Sequence, residues 1–142
     1  MKKNILLLSL LIAGSNIAFA QCGKKIIFTS SKTEHLDADK VERTVDEKTV
    51  IETNDKGEIT ITPGEDANKM TGTIKSDTCS WKTPFKEGKS IIKALITDEH
   101  GDAKNVTLTI EGKDGKITLL AEVDEMPGKK IRVTADKFEE KK

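Results

Sequence analysis

Two cysteines, Cys22 and Cys79, carry the most specific chemistry in this sequence. An even number of cysteines in a chain that leaves the cytoplasm usually pairs. A zinc site would need four soft ligands, and only His35 and His100 could complete it, at spacings that do not indicate one. We therefore predict a Cys22–Cys79 disulfide. Two separate thiols are one alternative, and a lipid on Cys22 is another, although Gln21 stands where lipoprotein signals place a small residue.

Acidic residues concentrate in four turn-forming segments, EHLDADK, PGEDAN, DEHGD and DEMPG, which also hold both histidines. Together they define a candidate acidic rim: Asp37, Asp39, Glu65, Asp66, Asp98, Glu99, Asp102, Asp124 and Glu125. Several carboxylates brought together could bind Ca²⁺ weakly or attract a cationic partner. Because no segment has the Asp-x-Asp-x-Asp-Gly spacing of a dedicated calcium loop, acids that stay solvated in their turns are the alternative.

A third candidate is the loop SWKTPFKEGK, which holds Trp81, Pro84 and Phe85 in a chain with only 4% aromatic residues. The two rings could line a ligand site, or they could close one end of the core. We favour the second reading, because aromatic residues in a loop beside a disulfide more often complete a core. Pro84 fits a loop that keeps one shape.

No catalytic pattern stands out. The sequence has no Gly-x-Ser-x-Gly, no His-Glu-x-x-His and no phosphate-binding glycine loop, and HGD at His100 is first a hairpin turn. We predict a protein without enzymatic activity, cofactor or resident metal. With 24 basic and 24 acidic residues and no Tyr, the chain also lacks the charge and the stacking groups of a nucleic-acid binder.

The N-terminal segment has the pattern of a secretory signal peptide. Lys2 and Lys3 precede the apolar run ILLLSLLIAG, and Ala18-Phe19-Ala20 forms a small-x-small cleavage site. The run is too short to span a bilayer comfortably, and no second run follows. We expect residues 1–20 to be removed and residues 21–142 to form one periplasmic or extracellular domain without a transmembrane segment.

The remaining sequence alternates strand-like runs with turn clusters. Eight runs stand out: KKIIFTSSKT, VERTVDEKTVIET, GEITIT, NKMTGTIKSDT, SIIKALIT, KNVTLTIEG, KITLLAEV and KKIRVTA. In the sixth, Val106, Leu108 and Ile110 share one face while Thr107 and Thr109 take the other. Such alternation is typical of a sheet with one dry and one wet face. The charges of the second run suggest an edge strand or a strand broken by a bulge.

Short connections such as NDKG and GKDGK predict tight hairpins, and hairpins make neighbouring strands antiparallel. We therefore predict an all-β fold, an up-and-down meander of about eight strands closed into a barrel and followed by the charged tail FEEKK. A flattened barrel or a β-sandwich is the alternative.

In strand number, order and size, these runs resemble the lipocalin-like, or calycin, barrels. The resemblance spans most of residues 21–142, but the Gly-x-Trp that those proteins commonly carry near the first strand is absent, and the one Trp falls mid-chain in CSWKTPFKEGKS. The resemblance implies a barrel that holds a small apolar ligand.

A meander places its connections at alternate ends. The four acidic segments then share one end, called here the far end. The N-terminus, NDKG, the Trp81 loop, GKDGK and the C-terminus share the other, lysine-rich near end. Because Cys22 precedes the first strand and Cys79 closes the fourth, both cysteines fall at the near end.

Two functions from different classes fit this architecture. The first is a non-enzymatic barrel that binds a small apolar or amphipathic ligand, with space supplied by Gly72, Ala94, Ala121 and Ala135. The second is a solid, ligand-free module whose charged ends or edge strand meet another envelope protein. We expect a monomer, and the volume inside the barrel separates the two functions.

Overall fold

The computed structural model describes residues 23–141. Over that range the chain forms nine β-strands and one short 3₁₀ helix, Asp66–Asn68. The strands are β1 Ile26–Asp37, β2 Lys40–Thr53, β3 Glu58–Pro63, β4 Met70–Thr83, β5 Glu87–Thr97, β6 Ala103–Lys113, β7 Lys116–Val123, β8 Lys129–Thr134 and β9 Lys137–Glu140. None of the helical structure within these residues is long and apolar enough to span a membrane.

Strands β1 to β8 pair in sequence order, each antiparallel to the next, and β1 closes the barrel by pairing with both β2 and β8. The predicted eight-stranded antiparallel meander barrel is therefore confirmed. Connections alternate between the two ends, as the short turns require. One of them is the two-residue turn between Lys113 and Lys116, where Asp114 and Gly115 both have positive φ, at 53° and 78°.

Strand β2 is part of the closed wall rather than a simple edge strand. Its ladder with β1 shifts register twice, between Ser30 and Lys32 and between His35 and Leu36, and each time β2 contributes the extra residue. The strand is therefore broken by bulges, as one alternative predicted, and its first half, which pairs with β1 only among the described strands, is also an edge, as the other predicted. Bulges explain why its hydrophobic alternation is weak in the sequence, because each extra residue reverses the face on which the following side chains lie.

The expected charged tail is in fact strand β9, and this prediction was wrong. Residues Lys137–Glu140 pair with the first half of β1, from Ile26 to Thr29, while β8 pairs with its second half. Two interactions hold this charged segment in a strand. Its ladder satisfies backbone groups of β1, and Phe138 packs against the core. Strands β8 and β9 thus pair along the same side of β1, with Ser30 to Lys32 between their two ladders.

The core consists of the inward-facing side chains of the wall. Phe28, Ile59, Leu108, Ile110 and Leu119 are the largest of those that are fully buried. They come from β1, β3, β6 and β7, so the core lies inside the barrel and not between two separate sheets. The two ends of the barrel differ in how completely side chains fill them.

Candidate functional site

Four aromatic rings close the near end. Phe138 lies at their centre, with ring-centroid distances of 5.8 Å to Phe28, 5.9 Å to Trp81 and 5.0 Å to Phe85. These separations and tilted angles are those that aromatic pairs prefer. Trp81 is only 2% exposed. The near end is thus packed with side chains from β1, β4, β9 and the β4–β5 turn.

Local backbone features allow this packing. Trp81 pairs with Gly88 across the β4–β5 ladder, where an added Cβ would lie 2.5 Å from the Trp81 Cα. The buried indole Nε1 donates a hydrogen bond to the Ser90 hydroxyl at 2.7 Å. Phe85 adopts φ 61°, an unusual value for a bulky residue, in the tight turn closed by the Lys86 amide and the Thr83 carbonyl. Pro84 lies exposed in the same turn.

The predicted disulfide falls partly outside the described residues, because they begin at Gly23. Cys79 lies on β4, partly buried against the core. The amide of Gly23 donates to the Asp77 carboxylate at 3.3 Å, so the residue next to Cys22 lies beside the same face of β4. The Cys22–Cys79 bridge stays a prediction, and this contact supports it.

A cavity of about 380 Å³ occupies the half of the barrel toward the far end. None of the four rings lines it. Its apolar wall is built by alternate residues of seven strands and one loop residue: Ile51, Ile61, Pro63, Met70, Ile96, Val106, Leu108, Leu119, Ala121, Val123, Met126, Ile131 and Val133. Met126 and Ile131 are 44% and 40% exposed, so the wall continues to solvent and the cavity opens at the far end. Its volume lies in the range of roughly 300–1,000 Å³ typical of ligand pockets.

Two hydroxyl groups interrupt the apolar wall. Thr33 on β1 and Thr49 on β2 are buried, line the cavity and lie 3.4 Å apart, oxygen to oxygen. Only one of their two hydroxyl hydrogens can lie between the pair, so the other can turn toward a guest molecule. The cavity thus combines a large apolar wall with a small polar spot, a composition common in ligand sites.

Charged and polar side chains surround the mouth. Glu47, Asp98 and Asp102 supply three carboxylates, Lys104 supplies one ammonium group and His35 supplies an imidazole. Of the predicted acidic-rim residues whose side chains the structure describes, Asp98 and Asp102 line the cavity. Sequence reasoning missed Glu47, because it lies inside β2 rather than in a turn segment, where it alternates with the cavity-lining Thr49 and Ile51.

Asp98 organises the turn from β5 to β6. Its Oδ1 accepts hydrogen bonds from the His100 and Asp102 amides, each at 2.9 Å. These bonds lower the pKa of Asp98 below its usual value, and the bond from the Asp102 amide has the largest effect. They therefore favour the ionised carboxylate. Glu99 lies 3.5 Å from the imidazole of His100 in the same turn.

The other acids of the far end mostly serve local structure. Asp37 and Asp39 pair with Lys129 and Lys130 at 3.1 and 3.4 Å. The carboxylate of Glu125 accepts bonds from the backbone and side chain of Asn105, which lower its pKa.

Asp124 accepts a long bond from Thr107 at 3.5 Å, Glu65 is exposed, and Asp66 lies in the 3₁₀ helix. Among the described side chains, no three His, Cys, Asp or Glu residues are placed to hold a metal ion. The described rim side chains therefore do not converge into a calcium site, although their segments share one end of the barrel.

Comparisons with protein families, with curated proteins and with solved structures found no match to this chain. The resemblance to lipocalin-like barrels is therefore one of architecture: an eight-stranded antiparallel barrel, closed, with one extra strand.

Proposed function

We propose that the protein is an exported, non-enzymatic carrier, similar to lipocalins, that binds a small apolar or amphipathic molecule in its barrel. The observation that supports this most strongly is the apolar cavity of about 380 Å³ that opens at the far end. A solid structural module would have filled this space with its own side chains, because protein interiors normally pack to crystal-like density.

The distribution of small and large residues favours the same function. At the near end four rings fill the barrel, whereas Ala121 stands in the cavity wall opposite Ile131 of β8. A cavity of this size has a cost, because the residues around it lose packing contacts. A ligand that fills the space restores them.

Purified protein should be analysed by native mass spectrometry, and solvent extracts should be searched for a molecule that co-purifies with it. Binding of dodecanol, a neutral amphiphile, should then be measured by calorimetry for the parent protein and for Ala121→Phe. The added ring enters the cavity and should abolish binding. Ala103→Phe, on an exposed residue at the start of β6, is the matched control and should bind normally.

Failure of the parent protein to bind dodecanol, together with ligand-free native spectra, would contradict the proposal. Binding by Ala121→Phe with the parent affinity would also do so, because it would place the ligand elsewhere.

One observation favours a second function, docking to another envelope protein. Among the described strands, residues 40–47 of β2 pair with β1 only, since the ladder with β3 begins at Thr49. A free strand edge can accept a strand from a partner. Capture of a partner at low salt that is released at high salt would support this function, and the absence of any salt-sensitive partner would contradict it.

A further inference from the structure

The charges at the mouth suggest which amphiphiles the cavity accepts. We propose that it takes amphiphiles tail first and prefers those whose head group is cationic, such as long-chain amines, over those with a carboxylate head. This inference rests on the proposed ligand-binding function and adds the chemistry of the head group.

Depth separates the apolar and charged parts of the site. Thr33, Thr49 and apolar residues such as Leu108 and Leu119 form the buried part, and no charged side chain among the described residues lines it. Asp98, Asp102 and Lys104 lie at or beside the turn from β5 to β6 at the far end, and Glu47, midway along β2, lies beside Gly64 just after β3 reaches that end. An alkyl chain therefore fits the interior, and a charged head would stay at the mouth, where water still reaches it.

The mouth carries a surplus of negative charge. Three carboxylates line it against the single ammonium group of Lys104. Asp98 remains ionised through its bonds to the turn amides. Of the other lysines at this end, Lys40 and Lys69 do not line the cavity, whereas Lys129 lies near Asp37 and Glu42, and Lys130 lies near Asp39.

The electrostatic potential at the mouth therefore favours a cation. At a partly exposed site, a net excess of one or two charges near the head group should change affinity by roughly tenfold.

Dodecylamine, dodecanol and dodecanoate share one tail and differ only in the head. Their dissociation constants should be measured by isothermal titration calorimetry at neutral pH, below their micelle concentrations and at two ionic strengths. We expect dodecylamine to bind about tenfold more tightly than dodecanoate, with dodecanol between them. The difference should shrink at high salt, because salt screens charges near the surface.

The double variant Glu47→Gln with Asp102→Asn tests which charges are responsible. Asp102 contacts Asp98 through its backbone amide and carbonyl, so Asn at this position keeps the turn. This variant should bring the amine and carboxylate affinities within about threefold of each other. The matched control, Glu111→Gln with Asp114→Asn, removes two charges at the near end and should retain the parent preference.

Each outcome bears on a distinct claim. If dodecanol binds but the amine and the carboxylate bind equally, or the carboxylate binds more tightly, the head-group inference is wrong and the carrier function stands. A preference for the amine that survives in Glu47→Gln with Asp102→Asn, or disappears in the near-end control, also overturns the inference. If none of the three compounds binds, the carrier function fails and the inference fails with it.

Discussion

The two ends of this barrel are built from the same kind of strand yet reach opposite results. At the near end Phe28, Trp81, Phe85 and Phe138 meet in one cluster, and their side chains fill the barrel. At the far end the inward-facing side chains include no aromatic ring of this cluster, and they leave a cavity between them. The near end thus contributes packing to the fold, and the far end holds the cavity that we propose as the ligand site.

The comparison also separates two uses of polar residues. At the near end a polar group serves packing, since Ser90 accepts the hydrogen bond of the buried Trp81 indole. At the far end the polar groups cap turns, form exposed ion pairs or face the cavity mouth. Substitutions at the near end should therefore affect stability, and those at the far end should affect binding.

The largest expected effect is that of Trp81→Ala. Removing this buried ring should lower the free energy of unfolding by about 3–5 kcal/mol, because its packing contacts are lost and a void is left in their place. At the far end, Met126→Ala removes a side chain that is 44% exposed and should change stability by less than about 1 kcal/mol. Urea unfolding followed by circular dichroism measures both, and similar losses in the two variants would contradict the division between the ends.

The predicted disulfide should come next. Replacing Cys79 by Ser should destabilise the protein by about 2–4 kcal/mol, because the predicted bridge would close a long loop in the unfolded chain. In the parent protein, intact mass analysis should show alkylation of Cys22 and Cys79 only after reduction. Alkylation of both thiols in the denatured protein before reduction would rule the bridge out.

A smaller effect is expected from Ser90→Ala, which removes the acceptor of the Trp81 indole. The buried N–H would then lack its partner, at a cost of roughly 1–3 kcal/mol. Ser80→Ala, on an exposed position of β4, is the matched control and should lie within about 0.5 kcal/mol of the parent. Equal stability of Ser90→Ala and Ser80→Ala would show that this hydrogen bond does not hold the near end together.

The smallest effect concerns Glu34 and Arg132, whose side chains join β1 to β8 through two bonds of 2.9 and 3.3 Å. The Arg132 bonds lower the pKa of Glu34 below its usual value of 4.5. Its contribution to stability is therefore present above the unfolded pKa and is lost as the pH falls through the folded pKa. For this partly exposed pair the contribution should be about 1 kcal/mol or less.

Glu34→Gln should thus be slightly less stable than the parent at neutral pH, and the two stability curves should converge in acid. Unfolding curves measured from neutral pH to below the folded pKa test this. A difference that stays constant across the whole range would mean that the ion pair is not its cause.

Much of the fold was predictable because local signals agree with the topology. The alternation of Val106, Leu108 and Ile110 and the Asp114-Gly115 turn specify strands and hairpins directly. Strand β9 was not predictable in this way, because FEEKK is strongly charged and only Phe138 shows that it packs against the barrel. The bulges of β2 also depend on its partner β1 rather than on its own residues.

The candidate site was predictable only in part. Topology alone brings the acidic segments to one end, and it places the Trp81 loop at the other. The cavity itself depends on how far each inward side chain reaches across the closed barrel, which no local pattern records. Its two methionines, Met70 and Met126, therefore carried no signal in the sequence, although both lie in the cavity wall.

These methionines allow the most direct test of the central claim, that the far end binds a ligand and the near end is closed. Apart from Met1, they are the only methionines in the chain, and Trp81 is the only tryptophan. Nuclear magnetic resonance of methyl-labelled protein should show both methyl signals shifting when dodecanol is added, while the Trp81 indole N–H signal stays in place. A shifted indole signal with unmoved methionine methyl groups would contradict this account.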